Sequence, residues 1–158
     1  MIRVRSIKRG EGAVLLAMTR ALAVSHGIEE HLTAGPDMLE EAFFAANPVA
    51  HCLIAEFDGM PAGCALWHRS FSSFRGREVM FLEDIAVLPE FRRKGIARAL
   101  MQAIAREAVA RGYPSVAWHM MDWNDGARKL YADLGAEIES GVSFCRLHGE
   151  ALAALAAP

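Results

Sequence analysis

Two periods of hydrophobic and polar residues alternate along the chain, one typical of strands and the other typical of helices. Residues 2–6 switch between apolar and polar side chains at nearly every step, as in a short strand. From Glu11 to about His26 the apolar residues recur at helical spacing, and Gly27 suits the end of a helix. The same reading predicts further strands at about 51–57, 62–68, 79–87, 115–121 and 140–148, and helices at about 36–46, 95–111, 124–134 and in the C-terminal tail.

The order of these elements predicts one mixed α/β domain over residues 1–158. A length of 158 residues fits a single domain, and no internal repeat or linker divides the chain. Asp58-Gly59-Met60-Pro61, between two predicted strands, is a strong hairpin signal. With 53% hydrophobic and 23% charged residues, the chain has enough apolar material to bury a core.

Charge and composition exclude several classes of function. A formal net charge of −2 argues against nucleic-acid binding through bulk charge, which needs a cationic face. The apolar runs are far shorter than the ~20 residues of a membrane span, and the first residues do not resemble a secretory signal. Three cysteines without metal or disulfide spacing indicate a reducing, cytoplasmic setting, and no metal site is expected.

The most informative segment joins the buried strand at 79–87 to the amphipathic helix at 95–111. The helix start offers unpaired amides and a dipole that both favour an anion, and a glycine lets a ligand approach the backbone closely. The alternative is a solvated cationic helix start without a ligand. The predicted diphosphate-binding residues are Arg92, Arg93, Lys94, Gly95, Ile96, Ala97 and Arg98.

This segment resembles a known family. Arg92-x-x-Gly95-x-Ala97 matches the [Q/R]-x-x-G-x-[G/A] motif of the GNAT N-acetyltransferase superfamily, which binds the diphosphate of acetyl-CoA. A second block, residues 122–136, is similar to the family's Asn-x-x-[A/S]-x-x-[F/L]-Tyr-x-x-x-Gly helix. The resemblance implies a mixed, mostly antiparallel central sheet flanked by helices, with acetyl-CoA as co-substrate.

Within the superfamily the chain looks most like the diamine (spermidine/spermine) acetyltransferase group, over residues 22–136. Leu82-Glu83-Asp84 and Asp122-Trp123-Asn124 carry this likeness. The group has a Tyr-Glu pair late in its first helix, where this chain has Ser25-His26. A polyamine, a thialysine-like amino acid, another small amine and a peptide amine therefore all stay open as acceptors. The group forms homodimers, so a homodimer is a hypothesis here.

The predicted chemistry needs a carboxylate, because an alkyl ammonium has a pKa near 10 and cannot attack until it loses a proton. Glu83 and Asp84 are adjacent on a strand and point to opposite faces unless a bulge turns both. Each is either a substrate ligand or a partner of Arg75 or Arg77. The resemblance favours Glu83 as substrate ligand and base.

The resemblance assigns the remaining site residues. It implies that Tyr131 protonates the departing sulfur, and packing of this aromatic in the core is the alternative. The backbone of Ile85, Ala86 and Val87 is expected to pair with the pantetheine arm and to stabilise the oxyanion. The other expected cofactor contacts are Asn124, which also caps its helix, and Ala127. The other expected acceptor-binding residues are His26, Trp118 and His119.

The sequence therefore predicts an acetyl-CoA-dependent N-acetyltransferase for a small-molecule primary amine. A peptide or protein N-acetyltransferase of the same fold is the first alternative. A non-catalytic acyl-CoA-binding module is the second.

Overall fold

The computed structural model describes residues 1–157, which fall into two compact units. The first unit, Met1–His119, holds the sheet and three α-helices, and the second unit begins at Met120 and holds two α-helices. Among residues 1–157 no helix is long and apolar enough to cross a membrane.

The sheet of the first unit has five strands within the described part of the chain, in the order β1-β2-β3-β4-β5. They are β1 (Ile2–Ser6), β2 (His51–Phe57), β3 (Met60–Ser72), β4 (Arg77–Val87) and β5 (Val116–Trp118). Neighbouring strands are antiparallel except β4 and β5, which are parallel. The expected mixed, mostly antiparallel sheet is confirmed.

Helices cover both faces of this sheet. Helices α1 (Gly12–His26) and α2 (Pro36–Phe44) share one core cluster with a sheet face, in which Leu15, Met18 and Phe43 meet Cys52, Ile54, Cys64 and Leu66. Helix α3 (Ile96–Ala110) contacts β1–β4 through the opposite face, where Gly63 lies beside Ile96. Two short 3₁₀ helices, Glu29–His31 and Pro89–Phe91, complete the unit.

The β2–β3 hairpin forms where the sequence predicts it. Asp58 and Gly59 are its two turn residues, with φ of +50° and +84°. Both values lie in the left-handed region that a two-residue hairpin turn requires, and Asp-Gly adopts this region readily. Phe57 therefore pairs directly with Met60, which sets the register of the sheet towards β4.

The second unit is simpler than the sequence predicts. It contains α4 (Asp125–Asp133) and α5 (Gly149–Ala156), and residues 140–148 form no strand, so that prediction is wrong. An alternating pattern does not supply a neighbouring strand, and without one the backbone groups of a strand stay unpaired. Val142 and Phe144 are accordingly exposed. Strand β5 is also shorter than predicted, because its pairing with β4 covers only three residues.

Candidate active site

A bulge in β4 lies at the centre of the candidate site. Leu66 pairs with Asp84, whereas Trp67, the next residue of β3, pairs with Leu82. Glu83 is thus an extra residue in β4 with no single partner opposite it. A bulge of this kind bends its strand and redirects the side chains beside it. A bulge is the feature that Glu83 and Asp84 would need in order to serve one cleft.

Asp84 lies on the sheet face that α1 covers. Its cross-strand partner Leu66 belongs to the core cluster beneath α1 and α2, and directly opposed residues share a face. The side chain is half-buried. Burial, with a smaller contribution from the charge of Glu83, raises the pKa of Asp84 to about 6. Asp84 is thereby suited to exchange a proton near neutral pH.

Glu83 lies beside a histidine rather than an arginine. Its Oε2 is 3.5 Å from Nε2 of His68, and its side chain is 59% exposed. Arg77 donates instead to the carbonyl of Gly112. Within residues 1–157 neither carboxylate forms an ion pair with Arg75 or Arg77, so the alternative of such a pair is wrong.

Aromatic rings extend from Glu83 and His68 towards β5. His68 is paired with Phe81 across the two strands, with ring centroids 5.3 Å apart. The edge of His119 meets Phe81 at 5.2 Å. We call the set His68, Phe81, Glu83, Asp84 and His119 the carboxylate–histidine cluster. It combines two acids, two imidazoles and one phenyl ring. Four of these residues lie on β3 and β4, and His119 directly follows β5.

His68 and Phe81 were not predicted from the sequence as site residues. The sequence did contain a signal for this pair. Strands β3 and β4 are consecutive and antiparallel, so counting residues back from the turn between them brings position 68 opposite position 81. The bulge that brings Glu83 beside His68 has no such signal, because the position of one extra residue depends on the pairing of two whole strands.

The three other predicted acceptor residues have different surroundings. The register pairs Trp118 with Leu82, which lies on the α3 side of the sheet beside Trp67. We therefore expect His119, which contacts Phe81, to be the acceptor-facing member of the two. His26 is the last residue of α1 and is half-buried.

One edge of β4 is open next to the cluster. Strand β5 pairs with β4 only over Met80–Leu82, and β3 covers the other edge as far as Val87. Among the described residues, no strand pairs with the second edge of Glu83–Val87. The backbone of Ile85–Val87 can therefore accept an extended amide chain as an added strand.

The loop between β4 and α3 presents backbone donors. Arg93 and Gly95 both have left-handed backbone, with φ of +61° and +83°. The first backbone bond of α3 runs from the amide of Ala99 to the carbonyl of Gly95. The amides of residues 96–98 precede it and have no partner within the helix. Successive turned amides of this kind form a concave site for anions.

The charged side chains of this loop do not all have the same role. The Lys94 ammonium lies 4.9 Å from the ring centroid of Phe57 and 5.1 Å from that of Phe91. Two aromatic faces thus hold this cation. Arg92 Nε donates to the carbonyl of Val87 at 3.4 Å, and Arg93 is exposed. The arginines are therefore better placed than Lys94 to meet an anion at the loop.

A groove runs from this loop along α1. Its volume is about 560 Å³, within the usual range of ligand pockets, and its walls are mainly apolar. Six of its lining residues are Leu16, Ala17, Arg20, Val24, Pro89 and Arg92. The two arginines are its cationic groups, so the groove suits an amphipathic anion.

Three predicted site residues belong to the second unit: Ala127 and Tyr131 lie in α4, and Asn124 directly precedes this helix. Asn124 Oδ1 accepts a hydrogen bond from the amide of Ala127 at 3.0 Å, so the predicted helix cap is confirmed. Tyr131 is buried, and burial raises the pKa of its hydroxyl. Its proton therefore stays in place at neutral pH. In the described part of the chain, no cluster of three or more histidine, cysteine or acidic side chains is arranged to hold a metal ion.

Comparison with known proteins agrees with this fold. The model of the acetyltransferase (GNAT) family matches residues 15–136. Thialysine N-epsilon-acetyltransferase of Bos taurus is 32% identical over 98% of this chain and 97% of its own length. L-ornithine N5-acetyltransferase NATA1 of Arabidopsis thaliana is 36% identical over 62% of this chain and 43% of its own length.

A solved structure gives the same picture of the fold. An integron cassette protein from the mobile metagenome of V. cholerae superposes with a TM-score of 0.78, covering 98% of this chain and 97% of that one at 19% identity. The chain belongs to the GNAT acetyltransferase family and is an acetyl-transferring enzyme.

Proposed function

We propose that this enzyme transfers an acetyl group from acetyl-CoA to a primary amine of a small molecule by direct attack. The observation that carries the proposal is a half-buried carboxylate, Asp84, which has a pKa of about 6 and lies within the open edge of β4. This arrangement supplies a proton acceptor beside a backbone that can hold an amide arm.

The residues of the first unit fit acetyl-CoA, which supplies the acetyl group as a thioester when bound. The amides of Gly95, Ile96, Ala97 and Arg98, with the side chains of Arg92 and Arg93, hold its diphosphate. The backbone of Ile85–Val87 holds the amide arm and donates to the acetyl oxygen, which stabilises the negative charge that develops there. The backbone of Lys94 contributes to the same loop, while its ammonium stays on the rings of Phe57 and Phe91.

The two carboxylates handle the acceptor. Asp84 takes a proton from the acceptor ammonium, so that the nitrogen lone pair can attack the acetyl carbon. Glu83, which the family resemblance favours as the base, binds the acceptor cation and shares the proton with Asp84. This division follows from burial: Asp84 has the raised pKa, and Glu83 is more than half exposed.

Tyr131 is proposed as the acid of the reaction. The bond from the acetyl carbon to sulfur breaks as the amine adds, and the departing sulfur needs a proton. A buried tyrosine with a raised pKa keeps its proton until such a base appears. Asn124 and Ala127 form the start of the same helix and are proposed cofactor contacts. This assignment requires the two units to act as one catalytic domain over residues 1–158.

The acceptor is proposed to be an amino-acid-like or diamine compound. Two relatives are named for thialysine and ornithine, which are amino acids with a terminal primary amine. His26 and His119 are proposed to contact the part of the acceptor away from the reacting nitrogen. Trp118 remains a weaker candidate, because its register places it with Leu82.

A panel of amines tests the proposal. Thiol release from acetyl-CoA is measured with ornithine, thialysine, spermidine and a short peptide bearing lysine. Release with one or more of the three small amines and little with the peptide is expected. Release only with the peptide moves the proposal to a peptide N-acetyltransferase, and binding of acetyl-CoA without release by any amine leaves an acyl-CoA-binding module.

The cellular location and the oligomeric state of the enzyme are also proposed. We propose a cytoplasmic homodimer, because cysteines are sparse and the resembled group is dimeric. Sedimentation tests the second point, since a stable species at the 17.3 kDa of one chain rejects the dimer.

A further inference from the structure

We propose that His68 passes the acceptor's proton from Glu83 to solvent, which makes it a positioning and proton-transfer residue of this enzyme. The inference rests on the proposed function, because it needs an acceptor ammonium to deprotonate beside Asp84 and Glu83. The observations that carry it concern the two nitrogens of the His68 ring, its carboxylate neighbour and its exposure.

The two ring nitrogens of His68 have fixed and different roles. Nδ1 lies 2.9 Å from the carbonyl oxygen of Arg69. A carbonyl oxygen only accepts hydrogen bonds, so Nδ1 carries a hydrogen and donates it. Nε2 is therefore the atom that gains and loses a proton, and it is the atom that faces Glu83 Oε2 at 3.5 Å.

This arrangement allows a proton to pass from Glu83 through His68 to water. A protonated Glu83 gives its proton to the lone pair of neutral Nε2, which leaves a carboxylate facing an imidazolium. The imidazolium then gives the same proton to water and returns to the neutral ring with hydrogen on Nδ1. A separation of 3.5 Å shortens to hydrogen-bond length through a small side-chain movement or is bridged by one water.

Both members of the His68–Glu83 pair reach solvent. His68 is 36% exposed and Glu83 59% exposed, whereas Asp84 is half-buried deeper along the strand. The charged or titratable groups that face His68 are Glu83 on β4 and, across Phe81, His119 after β5. On β3 itself, the neighbouring Arg69 is paired with Glu78 at 3.3 Å. Asp84 is thus the drier of the two carboxylates, and Glu83 and His68 both reach water.

The test compares His68→Phe with the unaltered enzyme. Phenylalanine keeps a ring against Phe81 and removes the proton acceptor. The kcat for acetylation of ornithine or thialysine is expected to fall about tenfold or more, with the KM for acetyl-CoA unchanged. Imidazole added to the buffer is expected to restore much of the loss. A purely structural role for His68 gives no such rescue.

Two further variants complete the design. His31→Gln is the matched control, because His31 also faces a glutamate, Glu30 at 3.9 Å, on an exposed surface outside the cluster. His68→Asn serves if the phenylalanine variant does not fold. In a relay, the double variant Glu83→Gln/His68→Phe is expected to lose no more activity than the worse of its two single variants.

The outcomes separate this inference from the proposed function. Wild-type enzyme that acetylates an amine while His68→Phe keeps full kcat at every pH from about 6 to 9 overturns the relay alone. A reduced kcat that imidazole does not restore, or strictly additive losses in the double variant, also overturns it. Wild-type enzyme that acetylates no amine overturns the proposed function, whatever the variants do.

Discussion

The two halves of the proposed reaction site are built in different ways. The loop from Arg92 to Arg98 is proposed to bind an anion mainly through backbone amides, which any sequence with the right turn can present. The carboxylate–histidine cluster depends on side chains brought together by a bulge and by cross-strand pairing. Cofactor binding in such a site is therefore sensitive to backbone conformation, whereas acceptor chemistry is sensitive to single functional groups.

A change at Gly95 tests the backbone half and has the largest expected effect. Gly95 has φ of +83°, so any side chain there is strained, and Gly95→Glu adds an acid where the diphosphate is to bind. Loss of measurable acetyl-CoA binding by calorimetry is expected. Gly112→Glu is the matched control, because Gly112 has a similar φ of +73° and open space around it. Equal loss in both variants contradicts a specific role of the loop.

Asp84→Asn tests the side-chain half. The amide cannot accept the acceptor's proton, so kcat is expected to fall about 10²- to 10⁴-fold while acetyl-CoA still binds. Glu78→Gln, on the same strand but paired with Arg69, is the control. A kcat within twofold of wild type removes Asp84 from the mechanism.

Asp84→Asn is expected to lower turnover but to raise the stability of the fold. Burial raises the pKa of Asp84 from 3.8 to about 6, so the folded state favours the protonated acid. This contribution to the free energy of unfolding is fully present below pH 4 and is lost as the pH rises through 6. Asp84→Asn avoids the loss and is expected to stabilise the fold by up to about 3 kcal/mol at pH 7. Urea unfolding at pH 4 and pH 7 measures the difference, which should nearly vanish at the lower pH.

Tyr131→Phe is expected to have a smaller effect on turnover. It removes one hydroxyl and keeps the buried ring of this α4 residue, so kcat should fall about 10²-fold with little change in acetyl-CoA affinity. Tyr113→Phe is a suitable control, because Tyr113 contacts Trp67 through its ring, away from the open edge of β4. Unchanged turnover in Tyr131→Phe leaves packing as the role of this residue.

Lys94→Met gives the smallest expected effect and separates the cations of the loop. The Lys94 ammonium rests on Phe57 and Phe91, so its loss is expected to cost about 1 kcal/mol of stability. Acetyl-CoA affinity should change only a few-fold, and Arg92→Met should weaken binding more. A larger loss of affinity in Lys94→Met than in Arg92→Met contradicts the assignment of Lys94 to the aromatic rings.

Several elements were predictable because their causes are local. The Asp58-Gly59 turn, the start of α2 at Pro36 and the Asn124 cap each follow from the conformational preferences of one or two residues. The loop before α3 was predictable for the same reason, since its glycine and its helix start lie within a few residues of each other.

The failures involve partners distant in sequence. Residues 140–148 carry a strand-like pattern, but a strand also needs a neighbour, which the pattern cannot specify. The difference between Glu83 and Asp84 also depends on partners distant in sequence. Burial by α1 and an extra residue in β4 decide which acid has the raised pKa.

The sequence by itself determined the class of fold, the glycine-containing loop before α3 and the presence of two acids before that loop. Only the tertiary structure decided that Asp84 is the acid with the raised pKa, that Glu83 faces His68, and that Phe81 lies between two imidazoles. The physical reason is that turns and helix starts depend on nearby residues, whereas burial and cross-strand contact depend on the register of a whole sheet.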